Sequence, residues 1–212
     1  MRVTPTIVTE PIFIYLASKS ARRRELLSQI GVGFDVLKLR EGPGRAADVI
    51  EVVEDGEPPL HYVERIARTK ANAGWKRMQE RGLPTRPVLG ADTEVVLDDA
   101  IFGKPHDADA ARAMLAKLSG RVHDVVSAVA LRFHDDIEVA VSVSQVTLRK
   151  LSAGEIERYI ETREPFDKAG GYAIQGRAAA FVTRLEGSYS GVVGLPLAET
   201  ASLLARIGRS VL

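Results

Sequence analysis

Val122-His-Asp-Val-Val-Ser-Ala-Val-Ala-Leu-Arg-Phe133, the polar turn His134-Asp-Asp136 and Ile137-Glu-Val-Ala-Val-Ser-Val-Ser-Gln-Val-Thr-Leu148 decide the fold. Both flanks alternate apolar and polar positions, and the polar triplet between them is short. The stretch predicts a long antiparallel hairpin. Helical patterns stand on either side of it, so the chain reads as α/β, and the hairpin argues against an all-parallel, doubly wound sheet. A mixed β-sheet flanked by helices is the expectation.

Upstream of the hairpin, Asp107 or Asp109 suits the cap of a helix over Ala110–Leu118, closed by Gly120. A strand is predicted over 87–91, after a break at Gly82-Leu-Pro84 and a helix over roughly 60–80 with Val63, Ile66, Ala67, Ala71 and Trp75 on its apolar face. Residues 41–59, rich in Gly, Pro and acids, read as an exposed and partly mobile loop. A short strand is expected over Phe34–Leu39, and a buried strand over 12–17, bounded by Ser18-Lys-Ser20. From Ser20 the spacing of Arg22, Arg23, Leu26, Leu27 and Ile30 predicts a helix that ends at Gly31 and Gly33. Downstream, Ser152-Ala-Gly-Glu155 is a capping-box pattern opening a helix to about Glu161. Gly170, Gly171 and Gly176 mark a tight loop around Tyr172-Ala-Ile-Gln175; a strand over Ala180–Leu185 and a helix over Ala198–Ile207 follow.

With 212 residues, 45% hydrophobic and 27% charged, the chain suits a soluble globular protein: a single domain over 1–212, with two lobes around a central cleft as an option. A formal net charge of +1 gives no general case for nucleic-acid binding. The lack of cysteine excludes disulfides, Cys-ligated zinc and thiol catalysis. The apolar run Pro11–Ala17 is too short to span a bilayer and makes a poor secretory signal, so a cytoplasmic protein without membrane contact is expected.

The chemistry-bearing residues gather at element ends. Ser18, Ser20, Arg22 and Arg23 lie where a strand passes into a helix, and free N–H groups there favour an anion that arginine forks also bind. A capped surface helix with a solvated Arg run would leave the same pattern. In Gly90-Ala-Asp-Thr-Glu-Val-Val-Leu-Asp-Asp-Ala-Ile-Phe-Gly-Lys-Pro105, Asp92 stands at a predicted strand end, where a carboxylate holds a divalent metal or accepts a proton. Lys104 adds a point cation for phosphate. Gln175, framed by glycines, is suited to read a nucleobase edge. Lys70, Glu51, Asp167 and Lys168 are ambiguous on local evidence. His61, His106, His123 and His134 form no close pair and read as structural or surface residues. No Walker A lysine motif, dinucleotide fingerprint or Gly-x-Ser-x-Gly elbow is present.

Taken together, Leu16-Ala-Ser-Lys-Ser-Ala-Arg-Arg-Arg-Glu-Leu-Leu27, Gly90-Ala-Asp-Thr93, Gly103-Lys-Pro105, Leu118-Ser-Gly-Arg121, Phe166-Asp-Lys-Ala-Gly-Gly-Tyr-Ala-Ile-Gln-Gly176 and Val193-Gly-Leu-Pro196 resemble the Maf family of nucleoside triphosphate pyrophosphatases. The resemblance implies an elongated mixed α/β fold of the inosine triphosphate pyrophosphatase type, a divalent cation such as Mg²⁺ or Mn²⁺, and a homodimer. It implies hydrolysis of a nucleoside triphosphate to the monophosphate and pyrophosphate, with Asp92 as the proton-accepting aspartate and a metal ligand alongside Glu51. Ser18, Arg22, Arg23, Glu51, Lys70 and Lys104 carry over as the phosphate–metal shell, and Arg22, Thr93 and Gln175 as specificity positions. Gly-Ala-Asp-Thr together with Ala-Ile-Gln-Gly is similar to the branch acting on dTTP and UTP. Three positions depart from the family pattern: Ala21 for a proline, Ile50 for an acid before Glu51, and Ser190-Gly191 where an asparagine is usual. An inosine/xanthosine triphosphatase and a non-catalytic nucleotide-binding regulator of cell division are the alternatives.

Overall fold

The stretch over 122–148 does fold back on itself. A computed structural model describes residues 12–40, 42 and 47–211. In it, β5 (Val122–Phe133) and β6 (Asp136–Leu148) pair antiparallel over their whole length, with Phe133 opposite Asp136. The return is tighter than the polar triplet suggests, and His134 takes the turn at φ 56°.

The hairpin forms one side of a mixed sheet. Among the described residues its order is β2 (Gly33–Val36), β1 (Phe13–Leu16), β3 (Val88–Leu97), β5, β6 and β7 (Val182–Glu186). The short β4 (Ala100–Phe102) pairs with the far end of β3. β1 runs parallel to both β2 and β3, and the other pairings are antiparallel. Parallel neighbours need long crossovers. Here they are α1 (Ala21–Gln29) and α2 (Pro59–Glu80).

α2 lies on one face of the sheet and buries Tyr62, Val63, Ile66, Ala67 and Ala71 against Val96, Val126, Ala128 and Ala130. The other face is covered in two parts. α3 (Ala108–Leu118) and α4 (Ala153–Glu161) pack around Val95, Val125 and Val146, together with the turns over 164–181. α6 (Leu197–Arg206) packs Leu203 and Leu204 near Leu89, Ala91 and Val129, next to α1 and the short α5 (Tyr189–Val193). Local signals explain the helix starts. Asp107 caps α3 by accepting from Ala110 N–H at 2.7 Å, and Ser152 with Glu155 forms the full capping box of α4.

Several boundaries differ from the sequence reading. The strand expected over 34–39 ends at Val36, and the one expected over 180–185 begins at Val182 after a 3₁₀ turn. α5 was not anticipated; it is five residues long and carries no amphipathic period to detect. The predicted loop over 41–59 lies partly outside the described residues, at 41 and 43–46, and residues 47–58 form neither helix nor strand. The apolar run beginning at Pro11 also starts outside them. The largest correction concerns β3, which runs ten residues rather than five, so Asp92 sits mid-strand and not at a strand end. Acidic residues inside a strand look like its termination when the sequence is read alone. Here they are tolerated because one edge of the strand is open to a cleft.

Candidate active site

β3 pairs with β5 from Val88 to Val96 along one side. On its other side it begins against β1, with Leu16 opposite Leu89 and the Ala17 N–H donating to the Leu89 carbonyl at 2.8 Å. It ends against β4, with Val95 opposite Phe102. Between those neighbours, over residues 90–94, this edge has no strand partner among the described residues. A cleft of about 750 Å³ opens in the gap. Side chains alternate across a sheet. An open edge therefore lets both faces of one strand reach the same cavity, Asp92 and Glu94 from the α2 face and Thr93 from the other.

On the α2 face, close backbone approach sets the geometry. A Cβ at Gly90 would stand 2.5 Å from the Ala67 carbonyl oxygen and 2.5 Å from the Ala71 nitrogen, so only glycine lets α2 lie this near β3. That approach brings Lys70, one helical turn along, onto Asp92. Lys70 Nζ donates to Asp92 Oδ1 and pairs with Glu51 Oε1, each at 2.8 Å. Asp92 is 5% exposed, and its second oxygen, Oδ2, is buried with no hydrogen-bond partner. Glu94 Oε2 is buried and unpartnered as well. Burial, reinforced by the neighbouring Asp92 carboxylate, pushes the Glu94 carboxyl up to about 8. Burial acts to raise Glu51, but the cations of Lys70, Lys104 and Arg23 together outweigh it and leave that carboxyl below its usual range.

On the opposite face the polar groups are hydrogen-bonded to one another. Thr93 Oγ1 lies 2.9 Å from Ser127 Oγ on β5, and Ser127 Oγ donates to the Gly191 carbonyl at 2.7 Å. Arg23 Nε donates to the Gly194 carbonyl at 2.8 Å and Arg23 Nη1 to Ser18 Oγ at 3.2 Å, tying the end of β1 to the chain after α5. Burial lowers Arg23, against the pull of Asp92, Glu51 and Glu94. The glycine loop is seated by contact. Gly170 adopts φ +67°, and a Cβ there would stand 2.8 Å from Val95 Cγ2. Its N–H donates to the Gly103 carbonyl at 3.1 Å, next to Lys104. Tyr172 OH bonds the buried His123 Nε2 at 2.7 Å, and burial holds that imidazole down at about 4. Glu164 accepts from the Arg177 and Ala178 N–H groups and from Tyr159 OH, framing the segment that carries Gln175.

Every residue singled out from the sequence lines this cleft: Ser18, Arg22, Arg23, Glu51, Lys70, Asp92, Thr93, Lys104 and Gln175, and also the ambiguous Asp167 and Lys168. Ser20 caps α1, accepting from the Arg23 N–H at 3.4 Å. Asp167 and Lys168 pair with each other. His61, His106 and His134 are exposed, away from the cleft, and His123 is structural. Two residues escaped the sequence reading. Glu94 was two positions beyond Asp92, and period-2 alternation would have shown it once the strand was extended past residue 91. Ser127 has no local signal, because only the β3–β5 register sets it opposite Thr93.

The profile described as "Maf-like protein" matches residues 13–207. The chain is 54% identical over 198 residues to the dTTP/UTP pyrophosphatase of Nitrosomonas europaea, covering 93% of this chain and 96% of that protein. It is 56% identical over 191 residues to the dTTP/UTP pyrophosphatase of Nitrosospira multiformis, covering 90% and 92% respectively. The solved structure of the Staphylococcus aureus Ham1 protein aligns with a TM-score of 0.46 at 14% identity, over 92% of this chain and 97% of that one.

Proposed function

The chain belongs to the Maf-like protein family, and on that premise we propose that it hydrolyses dTTP and UTP to the nucleoside monophosphate and pyrophosphate. The observation that carries this reading is Asp92. It is a buried carboxylate oriented by Lys70 through one oxygen and left with a free oxygen beside an arginine- and lysine-rich cleft.

Water attacks the α-phosphorus as the bond to the bridging oxygen of the β-phosphate breaks. The attacking water gives a proton to Asp92 Oδ2, and pyrophosphate leaves with the electron pair of the broken bond. Lys70 keeps Asp92 aimed, since a carboxylate held by an ammonium at 2.8 Å has one favoured orientation. Arg22, Lys104 and the N–H groups at the start of α1 bind the triphosphate and offset the charge that grows on the leaving group. Thr93 and Gln175 face the base.

A divalent cation suits this donor set. Among the described residues no three acidic or imidazole side chains form a ready cage. Magnesium-type ions, however, commonly take one or two carboxylates and complete their shell with phosphate oxygens and water. Asp92 Oδ2 and Glu94 Oε2 are buried oxygens without partners, and Glu51 keeps an oxygen that Lys70 does not hold. Glu51 and Glu94 would hold it, and Asp92 Oδ2 stays free for the proton of the attacking water. When bound it supplies charge neutralisation on the phosphate oxygens and acidifies coordinated water.

The chain is proposed to act as a single catalytic domain and as a homodimer in the cytoplasm; no helix among the described residues is long and apolar enough to cross a membrane. The deciding experiment incubates the purified chain and Mg²⁺ with UTP, dTTP, CTP, ITP and GTP, and quantifies monophosphate and pyrophosphate. UTP and dTTP should be the preferred substrates. Preference for ITP would transfer the protein to the inosine/xanthosine branch, and nucleotide binding without pyrophosphate release would leave a regulator. Light scattering on the same sample tests the dimer, which a monomer at assay concentration would reject.

A further inference from the structure

Resting on the dTTP/UTP reading above, we propose that Ser127 sets the polarity of the Thr93 hydroxyl, so that Thr93 meets the substrate as a hydrogen-bond acceptor and selects pyrimidines with an imide N–H over cytosine.

The argument is a count of protons. A serine hydroxyl carries one hydrogen. Ser127 is fully buried and lies 2.7 Å from the Gly191 carbonyl, which can only accept, so the Ser127 proton is spent there. That carbonyl depends on it. The N–H groups of Gly194 and Leu195, which follow α5, both go to the Ser190 carbonyl instead. The contact of 2.9 Å between Thr93 Oγ1 and Ser127 Oγ then needs a hydrogen, and Thr93 must provide it. Without one, two hydroxyl oxygens at that distance would repel.

The second acceptor near Thr93, the Gly194 carbonyl, is farther at 3.4 Å and already takes Arg23 Nε at 2.8 Å. The Thr93 proton is therefore directed into the protein, away from the ligand. What remains for the cleft is a pair of oxygen lone pairs on a β-branched side chain, which is stiff about χ1.

This polarity matches one edge of the bases. Uracil and thymine carry a hydrogen on N3, whereas cytosine presents N3 as an acceptor. An acceptor at Thr93 pairs with the former and sets lone pair against lone pair with the latter. Gln175 does not make this distinction, because its exposed amide turns to offer either an N–H or a carbonyl. Ser127 touches no substrate. It is a positioning residue that acts through Thr93, and β3–β5 register brings the two together, Thr93 standing opposite Ser127.

The test compares the wild-type chain with Ser127→Ala, Ser127→Thr and Thr93→Val, measuring kcat and KM for UTP, dTTP and CTP, and UMP and CMP binding by calorimetry. In Ser127→Ala the Thr93 proton is released and can turn to the cleft. The ratio of UTP to CTP kcat/KM should narrow by about tenfold, through KM with kcat little changed, and the ratio of UMP to CMP affinity should narrow with it. Ser127→Thr retains the hydroxyl and should restore the wild-type ratio. Thr93→Val keeps the shape and removes the acceptor, so UTP and dTTP should lose about tenfold while CTP stays within about threefold. It tests the same idea if Ser127→Ala does not fold. A wild-type chain that prefers UTP, with that preference unchanged in Ser127→Ala or, failing that variant, in Thr93→Val, overturns the inference and leaves the proposed activity standing. A wild-type chain that releases pyrophosphate from CTP as well as from UTP overturns the dTTP/UTP reading, and this inference with it.

Discussion

The two faces of β3 meet the same cleft in opposite states. On the α2 face, Asp92 Oδ2 and Glu94 Oε2 are buried without partners, and three carboxylates share the neighbourhood of Lys70. On the other face, two hydrogen-bonded groups lie side by side: Thr93, Ser127 and the Gly191 carbonyl in one, Arg23, Ser18 and the Gly194 carbonyl in the other. Unsatisfied buried oxygens cost stability. Under the proposed function an incoming cation, water or phosphate completes them on the α2 face, and the satisfied face holds still the groups proposed to meet the base. One open strand edge allows both states within a few ångströms, because alternate side chains point to opposite sides of the sheet.

The sharpest way to break this contrast is Asp92→Asn. Turnover should fall at least about 10³-fold while UMP affinity, measured by calorimetry, stays within about threefold. Turnover within tenfold of wild type would remove Asp92 from the chemistry. Next in size is Lys70→Met, which leaves Asp92 and Glu51 without their shared ammonium. Loss of one partner from a buried pair should cost on the order of 3 kcal/mol of unfolding free energy, read from urea titrations at neutral pH, with activity reduced as well. A variant as stable and active as wild type would mean the carboxylates do not need that cation.

Gly90→Ala tests the packing that creates the α2 face. Its new Cβ has backbone on two sides, so destabilisation of about 2 kcal/mol is expected, together with weaker activity as Lys70 moves from Asp92. Unchanged stability and kinetics would show that α2 can retreat freely. The smallest effect belongs to His123, on the opposite face of the sheet. His123 is held down at about 4 by burial, below its unfolded value, so the unfolded chain binds the proton first as pH falls. Its contribution is complete above pH ~6.5, begins to fade there and is lost towards pH 4. Between pH 6.5 and 5.5 the wild type should lose about 1 kcal/mol more than His123→Phe. Parallel pH–stability curves for the two proteins would reject that account.

Much of the architecture was legible because its signals are local. The hairpin over 122–148, the caps at Asp107 and Ser152 and the apolar face of α2 all follow from spacing and capping chemistry. Asp92 and Thr93 were identified as chemistry-bearing but set at a strand end, since an acid after Val88-Leu89 resembles termination. The continuation to Leu97 depends on the β4 and β5 pairings, which are long-range. Glu94 was missed for that reason. α5 was missed because five residues give too little period to read.

By itself the sequence determined the candidate side chains and the family pattern they form, because residue types and short spacings are written directly in it. It also determined the mixed α/β class, through a hairpin whose two strands are neighbours in the chain. Tertiary structure alone decided that nine scattered residues line a single cleft and that β3 is open between β1 and β4. It alone set Lys70 on Asp92 and Ser127 on Thr93. Those contacts depend on strand register and on a helix resting against Gly90, which are properties of packed surfaces far apart in sequence.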